Sequence, residues 1–251
     1  MVQDMEPVRI PAVTPKGVDR FNVPLYTTTE AARYLGVPAS TFATWAHGYR
    51  RRPPGRPEVL QGPVVTALDH RRRSPSIPFI GLAEGLVLAA VRRRNVSLQR
   101  IRPALQVLAD TIGVEYALAS RDLYLYGAEL LYDYARREGD TPEGESARQL
   151  TVIRNGQRVF DDIVWDFLER ITYGPDNYAQ IIRLPQYDKA QVVADPTRSF
   201  GRPIFSHGGA RVDDALQLFW AGEELRVVAE EYGMPEAELE DAVRVASRRA
   251  A

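Results

Sequence analysis

Between Thr27 and Arg52 the chain reads TTTEAARYLGVPASTFATWAHGYRRR. It holds two short helical segments separated by one glycine, a valine and a proline. Thr28 or Thr29 is a natural N-cap, with Glu30 close behind. Ala31, Ala32 and Leu35 then recur at helical spacing and predict one apolar face. Gly36 suits a left-handed residue at the helix end, Val37 plugs the turn, and Pro38 and Ala39 open a second helix whose core face is Phe42 and Trp45. Small residues at the crossing, a glycine turn and an apolar plug make a helix-turn-helix pattern. In such a pair the second helix enters the major groove. Its outward set here is Ala39, Ser40, Ala43, Thr44 and His47. Serine and threonine can bond to bases or phosphate, and alanine fits against a thymine methyl.

The next stretch, RRRPPGRPEVLQGPVVTALDHRRR, has too many prolines and glycines for a helix. PVVTAL reads as a strand, and the VL before Gln61-Gly62 pairs with it in a hairpin. A hairpin after a helix-turn-helix is a wing. Arginines bracket it: Arg50, Arg51, Arg52 and Arg56 before, Arg71, Arg72 and Arg73 after. These would hold phosphates, which positions a protein on DNA without reading sequence.

Further on, FIGLAEGLVLAAVRRR predicts a mostly buried helix, and SLQRIRPALQVLADTIG an amphipathic one. Pro103 implies either a start near Ile101 or a kink. EYALASRDLYLYGAELLYDYA alternates in character and predicts short strands, and GDTPEGES a loop and domain boundary. LTVIRNGQRVF is a hairpin around Asn155-Gly156. FDDIVWDFLERI is a helix with Ile163, Val164, Phe167, Leu168 and Ile171 inside, and YAQIIRLP a strand. A short β-loop and three helices, about 212–220, 223–232 and 235–247, close the chain. The expected organisation is an arm over 1–20, a winged helix-turn-helix over 21–114, an α+β connecting and dimerisation region over 115–190, and a small helical domain over 191–251. The fold class is α+β, mainly α.

Charge divides the chain. The net charge is −1, yet residues 1–114 hold 16 basic and 8 acidic residues, and residues 115–251 hold 16 and 25. A basic half joined to an acidic half points to two partners of different kinds, unless the halves neutralise each other by packing. No apolar run approaches the ~18 residues of a membrane span, and the N-terminus lacks a secretory apolar region, so a cytoplasmic protein is expected. With no cysteine, disulfides, thiolate metal sites and thiol catalysis are excluded.

Other constellations are weaker. Asp161, Asp162, Asp166 and Glu169 share one helix, which reads as a solvated acidic face rather than a metal site. His47, His70 and His207 have no ligand spacing. Ser206-His207 lacks a nucleophile elbow, and no phosphate-cradling glycine motif occurs. Neither an enzyme nor a cofactor is expected. Tyr116, Tyr124, Tyr126, Tyr132 and Tyr134 read as core or dimer surface, or as the wall of a small-molecule pocket.

TEAARYLGVPASTFATW resembles the first helix pair of the MerR-type winged helix-turn-helix, and SLQRIRPAL resembles the stretch after its wing. The string from Ile77 to Ser120, together with DPTRSFGRPIF…GGARVDDALQLFWAGEELRVVAEEYGMPEAELEDAV, resembles the large VapB-type antitoxins of actinobacterial toxin–antitoxin pairs. The resemblance spans most of residues 24–248. It implies a protein that neutralises a PIN-like ribonuclease toxin, binds double-stranded operator DNA as a homodimer and represses its own operon, with no membrane partner. Antitoxins of this sort often place an arginine near the toxin's acidic metal ligands, so the resemblance makes Arg198, Arg202 and Arg211 the toxin-contact candidates, followed by Arg244, Arg248 and Arg249. Local ion pairs with Asp195, Asp213 or Asp214 are the plainer role for each. The rival is a ligand-sensing regulator with an effector pocket in the tyrosine-rich middle; the sequence shows no long coiled coil of the kind such regulators use.

Overall fold

The computed structural model describes residues 18–52, 58–69 and 74–250. Residues 1–17 of the expected arm lie outside the described residues. Arg20, at the arm's end, is anchored: it pairs with Asp176 and donates to the Ala179 carbonyl at 2.9 Å.

Two helices open the structure, α1 (Thr28–Leu35) and α2 (Ala39–His47). The N-cap is Thr27, one residue earlier than expected, and it forms a capping box with Glu30. Gly36 closes α1 at φ 68°. Ala31, Ala32, Leu35, Phe42 and Trp45 are buried as their spacing requires. The wing pairs β1 (Tyr49–Arg51) with β2 (Val59–Gln61), antiparallel. This corrects the expected pairing of residues 59–60 with Pro63–Leu68. The partner strand comes earlier, and Val64 and Val65 instead donate their N–H groups to the Trp45 carbonyl at 2.8 and 3.1 Å.

Helix α3 (Phe79–Arg93) is buried from Phe79 to Val91 and forms the axis of the molecule. It packs on α1 and α2, and also on α7 (Asp162–Leu168) and β6 (Ala179–Arg183). Amphipathic α4 (Leu98–Ile112) begins after Ser97 and carries Pro103 inside its second turn. The tyrosine-rich segment is not strands but the longest helix, α5 (Arg121–Glu138). Its buried Leu123, Gly127, Ala128, Leu131, Tyr134 and Ala135 follow helical spacing, which the local alternation of Tyr and Leu disguised. The expected loop GDTPEGES contains α6 (Pro142–Arg148), capped by Thr141 with proline at its first turn.

Strands β3 (Thr151–Arg154) and β4 (Gln157–Phe160) form the expected hairpin. Ile163 is among the large apolar side chains left exposed, whereas Val164, Phe167 and Leu168 are buried, and Ile171 lies in a strand. A four-stranded antiparallel sheet follows, in the order β5 (Ile171–Tyr173), β6, β7 (Val192–Ala194), β8 (Ile204–Phe205). The chain closes with α8 (Val212–Trp220), α9 (Leu225–Glu231) and α10 (Glu236–Ala250). The fold is α+β and mainly α. One cluster of buried side chains runs from Tyr26 to Val245. No helix among the described residues is long and apolar enough to cross a membrane.

Candidate nucleic-acid interface

Helix α2 exposes Ala39, Ser40 and His47 and half-buries Ala43 and Thr44, whose hydroxyl donates to the Ser40 carbonyl at 2.9 Å. The five outward positions read from the sequence therefore share the face opposite Phe42 and Trp45. Arg50 and Arg52 are exposed on and after β1, and Arg50 lies 3.5 Å from Glu58 across the wing. The side chain of Arg51, and Arg56, His70, Arg71, Arg72 and Arg73, lie outside the described residues.

What sets the wing against α2 is backbone chemistry. Gly48 joins them at φ 68° and ψ −169°, and a Cβ there would sit 2.1 Å from the Gln61 carbonyl oxygen. Only glycine permits both that conformation and that approach. At the far end of β2, Arg102 of α4 donates to the Gly62 carbonyl at 2.9 Å, and burial pushes its guanidinium below the usual arginine range. Behind the wing, Glu84 is the one charged side chain within the apolar run of α3. It accepts the Thr66 N–H at 2.6 Å, and burial pushes its carboxyl up to about 7. Helix α2, the wing, α3 and α4 are thus fastened together. Arg102 did not stand out in the sequence, and Glu84 stood out only as the charge that interrupts an apolar run: each acts on a backbone group distant in the chain, and no local motif marks such a contact.

The second candidate region lies between β7 and α8. Arg198 and Arg202 are exposed and Arg211 half-buried. The turn gathers them. The Arg198 guanidinium lies over Gly209, Val212 donates to the Pro203 carbonyl at 3.0 Å, and Ile204 bridges Arg211. Arg211 reaches Asp214 at 3.8 Å; among the described residues neither Arg198 nor Arg202 has an ion pair. Asp195 is spent on the turn itself, accepting from the Thr197 N–H and hydroxyl at 2.8 and 2.6 Å. Asp213 lies in the electrostatic field of Arg33. Ser199 and Phe200 both hold positive φ, and Phe200 is 73% exposed. The buried Tyr26 hydroxyl donates to the Gly201 carbonyl at 3.0 Å, so this turn is tied to the helix-turn-helix. Arg244 pairs with Glu240 at 2.7 Å, Arg248 is exposed, and the side chain of Arg249 lies outside the described residues.

The carboxylates around α7 are dispersed among separate partners: Asp161 caps Val164 and lies 3.2 Å from Arg94, Asp162 meets Arg154, Asp166 meets Arg170, and Glu169 accepts from Trp165. His207 contacts Glu238 at 2.7 Å. Glu238 and Asp241 of α10 also accept the N–H groups of residues 189–191, which fixes α10 beside the sheet. Of the named tyrosines, Tyr134 is buried, Tyr126 exposed, and Tyr116, Tyr124 and Tyr132 intermediate.

Residues 24–105 match the family model described as "Putative DNA-binding HTH domain". Over 226 residues the chain is 48% identical to a Mycobacterium tuberculosis protein named "Putative antitoxin VapB45", covering 89% of this chain and 94% of that one. The chain belongs to the VapB45 family. A second relative from the same organism, "Uncharacterized protein Rv2308", is 30% identical over 226 residues, covering 87% of this chain and 88% of its own length. The crystal structure of Rv2018 from M. tuberculosis superposes with a TM-score of 0.79 at 45% identity, over 89% of this chain and 99% of that one. The expected kinship with VapB-type antitoxins is met, and the matched segment encloses α1, α2, the wing and α3.

Proposed function

We propose that this VapB45-family chain is an antitoxin that silences a PIN-like ribonuclease toxin and, as a homodimer, binds its own operator and represses it. It acts by binding, with no reaction of its own. The observation that carries the reading is the exposed face of α2 locked to an arginine-bearing wing, within a chain nearly half identical to a named antitoxin. On DNA, Ser40 and Thr44 meet base edges, Ala39 and Ala43 pack on thymine methyls, and His47 and the arginines at 50–52, 56 and 71–73 hold phosphates.

The toxin falls to the acidic half. A ribonuclease binds RNA through a basic face, and the half of the chain from 115 to 251, with 25 acidic against 16 basic residues, complements it. Arg198, Arg202 and Arg211 offer the complementary contact, to the acidic metal ligands at the centre of that face. Co-expression of this chain, tagged, with the untagged gene adjoining its own tests the reading. A stable complex without ribonuclease activity is expected. If no complex forms while operator binding persists, the chain is a regulator of another kind, and the tyrosine-rich middle becomes the place to seek an effector.

A further inference from the structure

Helix α5 stands as a ridge between two grooves. On one side, the groove against α4 comprises two adjoining cavities of about 530 and 500 Å³, with Val107, Thr111 and Ile112 on its far wall. On the other, a cavity of about 550 Å³ separates α5 from the β3–β4 hairpin. Tyr126 and Glu129 line both grooves and so form the crest. The crest is apolar where most helices are wet: Leu125 is 51% and Tyr126 56% exposed.

Charge along this ridge is polar in direction. Asp122, Tyr126, Glu129, Asp133 and Arg136–Arg137 recur at spacings of four and three residues and share one face, spanning roughly 22 Å of helix. Acidic groups occupy its N-terminal part and two arginines its C-terminal end. Glu129 is neutralised within the chain by Arg158 at 3.0 Å. Among the described residues Asp122, Asp133, Arg136 and Arg137 form no ion pair.

We infer that α5 is the surface on which two copies of this chain pair, antiparallel, about a two-fold axis near Glu129 and Leu130. This rests on the homodimer reading above and adds where the dimer closes. A two-fold contact must be self-complementary, and this ridge is. Reversing the helix on itself sets Asp122 of one copy against Arg137 of the other, and Asp133 against the Tyr126 hydroxyl. The ridge of each copy has a groove beside it to receive the other, the geometry by which helices pack. Burying Leu125 and Tyr126 supplies the apolar part of the contact.

The test is a charge exchange read by light scattering on a sizing column. Asp122→Lys with Asp133→Lys in one variant sets Lys against Arg137 of the other copy, and Arg136→Glu with Arg137→Glu in another sets Glu against Asp122. The second change in each variant adds to the like charge of the ridge and, in the first, removes the Asp133–Tyr126 contact. Each is expected to raise the dimer dissociation constant at least about a hundredfold. Mixed one to one, the two variants are expected to restore a dimer. Asp133, Arg136 and Arg137 are exposed and Asp122 is half-buried, and circular dichroism checks that the fold is kept. Dimers that survive both reversals would overturn the inference and leave the homodimer reading standing with its interface elsewhere. A wild-type chain that is monomeric at micromolar concentration would overturn both.

Discussion

Gly85 and Glu84, neighbours on α3, show how single residues fix the DNA-facing end. A Cβ at Gly85 would lie 2.6 Å from the Phe42 ring and 2.9 Å from Leu35, so α3 touches the helix-turn-helix core through the missing side chain. Gly85→Ala is expected to cost about 1–3 kcal/mol, because overpacking a filled core forces its neighbours apart. Urea denaturation measures it, and an unchanged midpoint would contradict the packing account. Glu84 makes stability depend on pH. Its folded carboxyl titrates near 7, against an ordinary value of 4.5. Across that window the folded chain keeps a proton that the unfolded chain has lost. Stability therefore falls as pH rises from the lower value to the upper, and levels off above it. Glu84→Gln keeps an acceptor for the Thr66 N–H and should abolish this fall, which amounts to a few kcal/mol. Denaturation midpoints at pH 5 and pH 8 decide it: an equal fall in the variant would show that another group is responsible. The sequence displayed both residues inside an apolar run, but only the fold shows what each of them touches.

Local signals located most of the elements. A threonine cap ahead of Glu30, placed one residue late, together with Gly36 and the Phe42–Trp45 spacing made the first helix pair legible, and Asn155-Gly156 did the same for the hairpin. The longest helix was not legible. The core face of α5 uses glycine and alanine at positions 127, 128 and 135, so its apolar stripe is faint, while Leu125 and Tyr126 stand on the surface. The wing was seen but paired wrongly, because residues 63–68 are apolar for another reason: they return to the Trp45 carbonyl and the α3 core. On the proposed interface, Arg50→Ala and Arg52→Ala should weaken binding to all DNA alike. Each should reduce the slope of log affinity against log salt by about 0.9. Ser40→Ala should instead narrow the gap between operator and scrambled DNA, by roughly 1–3 kcal/mol. Fluorescence anisotropy over a salt series separates the two effects, and a Ser40 variant that loses both affinities equally would move base reading elsewhere.

At the scale of the molecule the two charge-opposed halves share one interior. The cluster from Tyr26 to Val245 is continuous, α3 packs on elements of both halves, and Tyr26–Gly201 and Arg20–Asp176 join segments more than 150 residues apart. Residues 1–114 alone would expose the α3 surface that α7 and β6 cover. That fragment is expected to lack a cooperative thermal transition, whereas the whole chain shows one by calorimetry. Long-range ties of this kind leave no periodic trace, so the sequence conveyed the charge division but not the shared core. On the proposed reading, a DNA-binding end joined to a toxin-binding end through one core predicts that toxin and operator occupy the chain together. The most direct measurement is a mobility-shift titration of the fragment upstream of this gene, with the chain alone and with its toxin complex. The account predicts a specific shift with the chain and a further, slower band with the complex. Binding no tighter than to scrambled DNA of equal length, in both cases, would contradict it.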